Sequence, residues 1–339
     1  MTQPAKDVIP SLPPSARLHT LPCIAGHVGA DAAAVTLSER PYESEQTTLL
    51  VDIGTNAEII LGNKDRVLAA SSPTGPAFEG AEISCGQRAA PGAIERVRID
   101  PETYQAKFKI IGADVWSDEA GFAEQADKTG ITGICGSGIV EAIAELYLSG
   151  LLSADGVITP PEGGAGDHLV AVGRTYSYML HRGQIEISIS QKDVRAIQLA
   201  KAALYAGARL LMDKLGVDEV SRVKLAGAFG SYIDPKYAMV LGLIPDCDLK
   251  KVSGIGNAAS TGARMALLNR RYREEIQQQV RKLDKVETAM EARFQEHFVN
   301  AIAFPNKVEP FKRLREQVAL PAPLADPGPT RRRRKRNSD

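Results

Sequence analysis

The sequence predicts an α/β fold, and three of its features support this prediction. Three short apolar segments follow one another between residues 49 and 70, as in a run of consecutive β-strands. Residues 185–189 alternate apolar and polar side chains like a half-buried strand, and a long amphipathic helical pattern follows them. Glycine-dense segments at 133–138 and 227–230 lie where a predicted strand ends or a predicted helix begins. Strands that alternate with helices are typical of the α/β class.

The first half of the chain contains closely spaced strands and one long loop. Strands are predicted at Leu49–Ile53, Glu58–Leu61, Arg66–Ala70, 94–99 and 106–111, and a helix is predicted at 139–148. Short polar turns separate the first three strands, which indicates an antiparallel meander. Glycines and prolines interrupt residues 72–92 too often for a regular element, and long loops of this kind are usually functional.

The second half alternates strands with longer helices. Strands are predicted at 185–189 and 222–226, and helices from 191 through Lys214, after Pro235, at 258–269 and, rich in charge, from Tyr272 to about Phe298. Ser190 and Asp193 form a capping-box-like start for the long helix. Its apolar face includes Val194, Ile197 and Leu204 at helical spacing.

The composition is that of a globular protein with two unusual ends. With 339 residues, 44% of them hydrophobic, the chain has enough apolar material for a large core. It contains no apolar run of about 18 residues and no secretion signal, so we expect a cytoplasmic protein without membrane contact. Prolines in residues 1–18 predict a flexible leader, residues 19–312 form the predicted domain, and residues 313–339 a disordered basic tail.

The tail contains six consecutive basic residues, Arg331–Arg336. Because the whole chain is formally neutral, the remainder is acidic. Such a run could contact RNA, anionic lipid or an acidic partner. It has no aromatic residue to stack on bases, so we favour a solubilising end and expect no nucleic-acid partner.

The spacing of the cysteines argues against an iron–sulfur cluster bound by this chain. They are Cys23, Cys85, Cys135 and Cys247. They lie tens of residues apart and no two form a Cys-x-x-Cys pair, which predicts free thiols and no iron–sulfur ligands.

The segment from Asp52 to Asn56 is the first candidate for chemistry, because a buried strand ends there in an acidic residue and turns through Gly-Thr-Asn. Gly54 lets the backbone approach an anion, Thr55 supplies a hydroxyl, and Asp52 could hold magnesium through water or orient an attacking water. The same residues also suit an ordinary hairpin turn, so the segment alone leaves both interpretations open.

Two other glycine-dense segments could bind a ligand. The segment 227–230 follows a strand, and ligands of open α/β sheets lie outside such strand ends. The segment 133–138 precedes a helix, whose free N–H groups and dipole attract anions. Tight packing of small residues is the alternative for both.

Four motifs occur together in order and carry a family resemblance. They are Leu-Val-Asp-Ile-Gly-Thr-Asn at 50–56, Gly-Pro-Ala-Phe-Glu-Gly-Ala at 75–81, Ala-Ala-Pro-Gly-Ala-Ile-Glu at 89–95 and Leu-Ala-Gly-Ala-Phe-Gly at 225–230. Over about residues 21–311 the chain resembles the C-terminal part of the reductive activators of corrinoid proteins. That family belongs to the superfamily of acetate and sugar kinases, heat-shock chaperones and actin. Its members couple ATP hydrolysis to the reduction of cob(II)alamin to cob(I)alamin in methyltransferase systems.

The resemblance implies a ribonuclease-H-like lobe of the actin and sugar-kinase type, with a mixed sheet and helices on both faces. It implies ATP with magnesium as the cofactor, and Asp52 as the catalytic residue that holds the metal through water. The expected nucleotide-binding residues are Gly54, Thr55, Asn56, Gly136, Ser137, Gly138, Gly227, Ala228 and Gly230. Gly256–Gly262 resembles the connecting helix at the hinge between two lobes.

Two parts of the family pattern are missing from this sequence. Members usually begin with a four-cysteine two-iron two-sulfur domain and a first Asp-Gly-Thr-Thr phosphate motif, and neither occurs here. Nucleotide in this superfamily lies between two lobes, so we expect one lobe to bind it weakly or only after pairing. The expected partners are a corrinoid protein and either a separate chain with the iron–sulfur domain and first lobe or a second copy.

The alternative function is a docking module that binds a corrinoid protein or a separate activator chain without nucleotide. In that case Mg–ATP would produce no thermal shift, whereas the partner would.

Overall fold

A six-stranded mixed sheet lies at the centre of the protein in a computed structural model that describes residues 2–321. The strands are β1 (Thr2–Pro4), β2 (Arg17–His19), β3 (Thr48–Ile53), β4 (Ala57–Gly62), β5 (Val67–Ser72), β6 (Ala93–Ile99), β7 (Ala106–Ile110), β8 (Gly133–Ile134), β9 (Leu169–Val172), β10 (Thr175–His181), β11 (Ile187–Ile189), β12 (Arg222–Ala226), β13 (Val252–Gly254) and β14 (Asp284–Lys285). The α-helices are α1 (Ala30–Glu39), α2 (Phe122–Thr129), α3 (Gly136–Leu148), α4 (Gln191–Leu215), α5 (Gly227–Gly230), α6 (Pro235–Val240), α7 (Ala258–Leu268), α8 (Arg270–Lys282), α9 (Ala292–Asn300) and α10 (Lys312–Gln317). None of these described helices has the length and hydropathy needed to cross a membrane.

The strand order of the central sheet is β13-β12-β3-β4-β5-β14. β3, β4 and β5 are antiparallel, which confirms the predicted meander. β12 runs parallel to β3, and β13 runs parallel to β12. Because β3 lies inside the sheet and both faces are covered, its residues Leu49, Leu50 and Val51 form a continuous apolar run.

The sheet separates two hydrophobic cores. On one face Leu49 and Ile59 belong to the larger core, together with Ile197 of α4. On the other face Leu50 and Ile60 pack with residues of α1, α7 and α8. Neighbouring residues of a strand point to opposite faces, which is why Leu49 and Leu50 enter different cores. This arrangement confirms the predicted mixed sheet with helices on both faces.

Helix α4 begins at the predicted cap. The N–H of Asp193 donates to Ser190 Oγ at 3.3 Å, and the N–H of Ser190 donates to Asp193 Oδ2 at 2.8 Å. Asp193 Oδ1 also accepts the N–H of Ser84 at 2.7 Å. The loop at 72–92, whose one regular piece is the 3₁₀ turn Pro76–Glu79, is therefore bonded to the start of α4.

A second layer is inserted between β5 and α4, where β6 pairs with β7 and β8 and α3 packs along β6. Two carboxylates of α3 bond to the edge of β6. Glu141 Oε2 accepts the N–H of Val97 and Glu145 Oε2 accepts the N–H of Ile99, each at 3.0 Å. β8 has only two residues and pairs with the first two residues of β6. Further along β6, the two carboxylates accept the backbone N–H groups that a longer β8 would have bonded.

The prediction of one helix from Tyr272 to Phe298 is wrong. The chain forms α8 and α9 with a break between them, where β14 pairs in parallel with Leu68 and Ala69 of β5. This pairing provides hydrogen-bond partners for backbone groups at the edge of the sheet. The helical spacing of apolar residues in the local sequence does not reveal the pairing.

The two ends also differ from the sequence-based expectation. β1 and β2 form an antiparallel pair within residues 2–19, and Ala5 is buried beside it. At the other end, α10 extends past residue 312, since Asp246 accepts the N–H groups of Arg313 and Leu314 and Leu314 is buried. The basic run Arg331–Arg336 lies outside the described residues, and the domain limits remain a prediction.

Candidate functional site

The carboxyl ends of β3 and β12 meet at one point of the sheet. Asp52 and Ala226 are partners in the parallel ladder of these two strands. The turn after β3 closes through the N–H of Gly54, which donates to Asn56 O at 3.1 Å. Thr55 and Asn56 are exposed at the tip of this turn. The predicted phosphate turn therefore lies beside the segment that follows β12.

Gly227 allows these two strand ends to approach closely. Its φ of +88° lies in the left-handed region that favours glycine. A β-carbon here would lie 2.5 Å from Asp52 Oδ1 and 3.1 Å from Ile53 O. The N–H of Gly227 donates to Gly256 O at 3.1 Å, which fixes its orientation. Two of the predicted site residues, Asp52 and Gly227, thus lie side by side, and the left-handed backbone at 227 favours glycine.

The rest of the segment 227–230 forms the one-turn helix α5, to which Ala228 contributes its backbone. Gly230 has room for a β-carbon, whose nearest neighbour would be the carbonyl carbon of Leu225 at 3.4 Å. The Phe229 ring stacks on Phe78, with ring centroids 5.5 Å apart. The segment therefore offers an aromatic face to the inserted layer, which its glycines alone do not indicate.

A cavity of about 490 Å³ lies next to this stacked pair. Its walls come from the loop at 72–92, the inserted layer and the chain around α5. The lining residues are Phe78, Glu79, Arg88, Ala89, Glu95, Ile111, Cys135, Gly136, Ser137, Phe229 and Tyr232. Three glycine-rich segments that lie far apart in the sequence thus meet at one cavity.

The first turn of α3 contributes two of its three predicted residues to this cavity. A β-carbon at Gly136 would collide with the Phe229 ring, so glycine is required for the close approach. Ser137 is buried and lines the cavity. Gly138 instead packs against Ile94 O of β6, where a β-carbon would also collide. Of the predicted nucleotide-binding residues, Gly136 and Ser137 line the cavity, whereas Gly138 and those at 54–56 and 227–230 do not, and all of these assignments remain predictions.

The loop at 72–92 is bonded to the phosphate turn. Thr55 Oγ1 donates to Glu79 Oε1 at 2.6 Å. Thr74 Oγ1 lies 3.1 Å from the carbonyl oxygens of both Gly54 and Thr55. Because Glu79 also lines the cavity, the turn and the cavity share a wall. The motif at 75–81 marked this loop, but the sequence assigned no role to Glu79.

Carboxylates crowd the end of β3. Burial raises the pKa of Asp52, and the negative charge of Asp31 raises it further. Burial also raises the pKa of Glu58, the cross-strand partner of Asp52, to about 7, with added contributions from Asp31 and Asp52. Sequence reasoning missed Asp31 and Glu58, because only strand pairing and the packing of α1 bring them to this point. A bound cation would relieve the repulsion.

Residues 2–321 contain no group of three or more His, Cys, Asp or Glu side chains arranged to hold a metal ion. Magnesium is commonly held by one or two carboxylates together with phosphate and water oxygens. Asp52 therefore fits a magnesium ion that arrives with a phosphate ligand, and not a site built by protein side chains alone.

Comparison with known proteins places the chain in a family. Residues 46–315 match the family described as the C-terminal domain of RACo, the ASKHA domain. The corrinoid activation enzyme RamQ of Eubacterium limosum is 37% identical over 274 residues, which cover 76% of this chain and 42% of that protein. The Co(II) methylated amine-specific corrinoid protein reductase of Methanosarcina barkeri is 29% identical over 264 residues, covering 75% of this chain and 45% of that protein.

A solved structure agrees with these matches. The reductive activator for corrinoid, iron–sulfur protein superposes with a TM-score of 0.77 at 32% identity, over 90% of this chain and 47% of that one. The chain thus spans less than half the length of each of these relatives. The actin-like α/β fold expected from the motifs is confirmed, and the chain belongs to the family of the C-terminal ASKHA domain of RACo.

Proposed function

We propose that this chain is the nucleotide-binding part of an ATP-dependent reductive activator, which helps to reduce cob(II)alamin to cob(I)alamin on a corrinoid protein. The observation that carries the proposal is the close approach of Asp52 and Gly227 at adjoining strand ends, with a ligand-sized cavity beside it. The names of the relatives, a corrinoid activation enzyme and a corrinoid protein reductase, support the substrate class.

The residues at the strand ends fit Mg–ATP. The cavity next to Phe229 and Tyr232 is large enough for an adenosine group, and aromatic side chains offer faces on which a base can stack. The turn at 54–56 would then face the phosphates, with the Thr55 hydroxyl as a donor. Asp52, with its pKa raised by burial beside Asp31, would be stabilised by a magnesium ion held directly or through water.

The residues of this chain would bind and orient the nucleotide, which supplies the free energy of hydrolysis when bound. Asp52 would hold the metal and orient the attacking water, while the stacked Phe78 and Phe229 rings exclude water from the adjoining cavity wall. The reduction of cob(II)alamin takes up one electron. We propose that this electron comes from an iron–sulfur domain on a separate chain or on the part of a longer protein that precedes this domain.

The nucleotide cleft would be completed by a second lobe. Helix α7, with Gly262 packed directly against Ala34 of α1, would lie at the hinge between the lobes. A separate activator chain or a second copy of this chain would supply the facing half. The corrinoid protein would then dock on the assembled activator.

Isothermal calorimetry and thermal denaturation with Mg–ATP test this proposal. The measurements use the purified chain alone and the chain mixed with the portion of RamQ that it does not match. The proposal predicts saturable binding and a raised melting temperature in at least the mixture. If neither preparation responds to Mg–ATP but the chain is stabilised by the corrinoid protein, the chain is a nucleotide-independent docking module.

A further inference from the structure

The hydroxyl group of Thr55 is already used within the protein. It donates to Glu79 Oε1 at 2.6 Å, a distance typical of a hydroxyl that donates to a carboxylate. A threonine hydroxyl has one proton to donate. A phosphate oxygen that accepts this proton must therefore displace Glu79.

Glu79 is held in place by the chain around it. It ends the 3₁₀ turn Pro76–Glu79, and the preceding residue, Phe78, is completely buried. The following residue, Gly80, has a φ of +83° and packs so closely that a β-carbon would lie 2.8 Å from Gln87 O. The backbone at Glu79 is thus fixed on both sides, and its carboxylate can leave Thr55 only by a rotation of the side chain.

Glu79 also places a carboxyl group next to the phosphate turn. Within residues 2–321 no lysine or arginine lies within salt-bridge distance of this carboxylate, while Arg66 and Arg98 are examples that do pair with acids elsewhere. A phosphate at the turn would therefore meet a carboxylate that has no ion-pair partner among residues 2–321, with Arg88 as a cation in the lining of the same cavity. The repulsion of a phosphate from Glu79 grows with the charge of the phosphate group.

We infer that Glu79 is a positioning residue that competes with phosphate for the Thr55 hydroxyl. It holds Thr55 when the turn is free of phosphate and releases it when phosphate binds. This inference rests on the proposed function. The loop at 72–92 then changes its contacts with the turn according to the nucleotide present. This loop is bonded through Ser84 to Asp193 at the start of α4. ATP and ADP would differ in this effect, and adenosine would not produce it.

The test compares adenosine, ADP and ATP on Glu79→Gln by calorimetry, using the preparation that binds nucleotide in the wild type. Removing the charge should tighten ATP binding on the order of tenfold, tighten ADP less and leave adenosine unchanged. Glu79→Asp keeps the charge and should bind ATP no more tightly than the wild type does. Glu82→Gln removes an exposed carboxylate of the same loop and serves as the matched control.

Several outcomes would overturn the inference while leaving the proposed function intact. Weaker adenosine binding would show that Glu79 holds the ribose. Weaker ATP binding only in the presence of magnesium would make Glu79 a metal ligand. Equal changes for all three ligands would show a structural effect of the substitution. A wild-type chain that binds no nucleotide, alone or with the portion of RamQ that it does not match, would overturn the proposed function and this inference together.

Discussion

Asp52 Oδ1 lies 2.5 Å from the point that a β-carbon on Gly227 would occupy. We therefore predict that Gly227→Ala displaces the Asp52 carboxylate and abolishes Mg–ATP binding in the binding-competent preparation. The φ of +88° adds backbone strain, so the variant should also lose about 1–3 kcal/mol of unfolding free energy. Urea denaturation and calorimetry measure the two effects separately.

Gly121, at the start of α2, provides a matched control, because its φ is +87° but a β-carbon there would meet no atom within 4 Å. Gly121→Ala should lose a similar amount of stability and keep Mg–ATP binding. Equal loss of binding in both variants would mean that backbone strain, and not the contact with Asp52, governs the site.

A second prediction concerns the pH dependence of stability. The folded-state pKa of Glu58 is about 7, above its ordinary value of 4.5, so the folded protein binds more protons between these two pH values. The contribution of Glu58 to the unfolding free energy is therefore most favourable below about pH 4.5 and falls as the pH rises through 7. Glu58→Gln should reduce this decline by on the order of 1 kcal/mol, since the carboxylate is partly exposed and screened.

Urea denaturation of the wild type and Glu58→Gln between pH 5 and 8 checks this effect. Glu45→Gln, which changes an exposed carboxylate paired with Lys64, should leave the pH profile unchanged. A profile for Glu58→Gln that runs parallel to the wild type would contradict the raised pKa.

A third prediction concerns the inserted layer that forms one wall of the cavity. Glu141 is almost completely buried, accepts the N–H of Val97, and forms ion pairs with Arg96 and Arg98 at 2.6 and 2.5 Å. Glu141→Ala should cost about 3–5 kcal/mol of unfolding free energy, because it leaves an N–H group and two half-buried guanidinium groups without their acceptor. Chemical denaturation measures the loss. The exposed Glu124 of α2 is the control, where replacement by alanine should change stability by about 0.5 kcal/mol or less.

Much of the fold follows from local sequence patterns, and the exceptions share one cause. The meander at 49–72 and the cap of α4 rest on alternation, turns and one Ser–Asp pair, all of which act between near neighbours. The break after α8 depends on pairing between Asp284 and Leu68, which are distant in the sequence. A helical period cannot reveal such a partner, so the helix predicted from Tyr272 was too long.

The candidate site divides in the same way. The motifs identified Asp52 and Gly227, because an acidic residue at the end of an apolar strand and a glycine directly after a strand can both be recognised in the sequence. Their close approach, and the bond from Thr55 to Glu79, depend on how strands and loop meet in space. Gly138 looked equivalent to Gly136, but helical rotation turns it toward β6 and away from the cavity.

The role of Asp52 in the nucleotide site is tested by the affinity of Asp52→Asn for Mg–ATP, measured by calorimetry beside the wild type in the preparation that binds nucleotide. Asparagine keeps the shape of the side chain and removes its charge, so the affinity should fall roughly 10- to 100-fold. Asp65→Asn, at the exposed turn between β4 and β5, should bind like the wild type. Unchanged affinity in Asp52→Asn, in a protein that does bind ATP, would contradict the assignment of Asp52 to the nucleotide site.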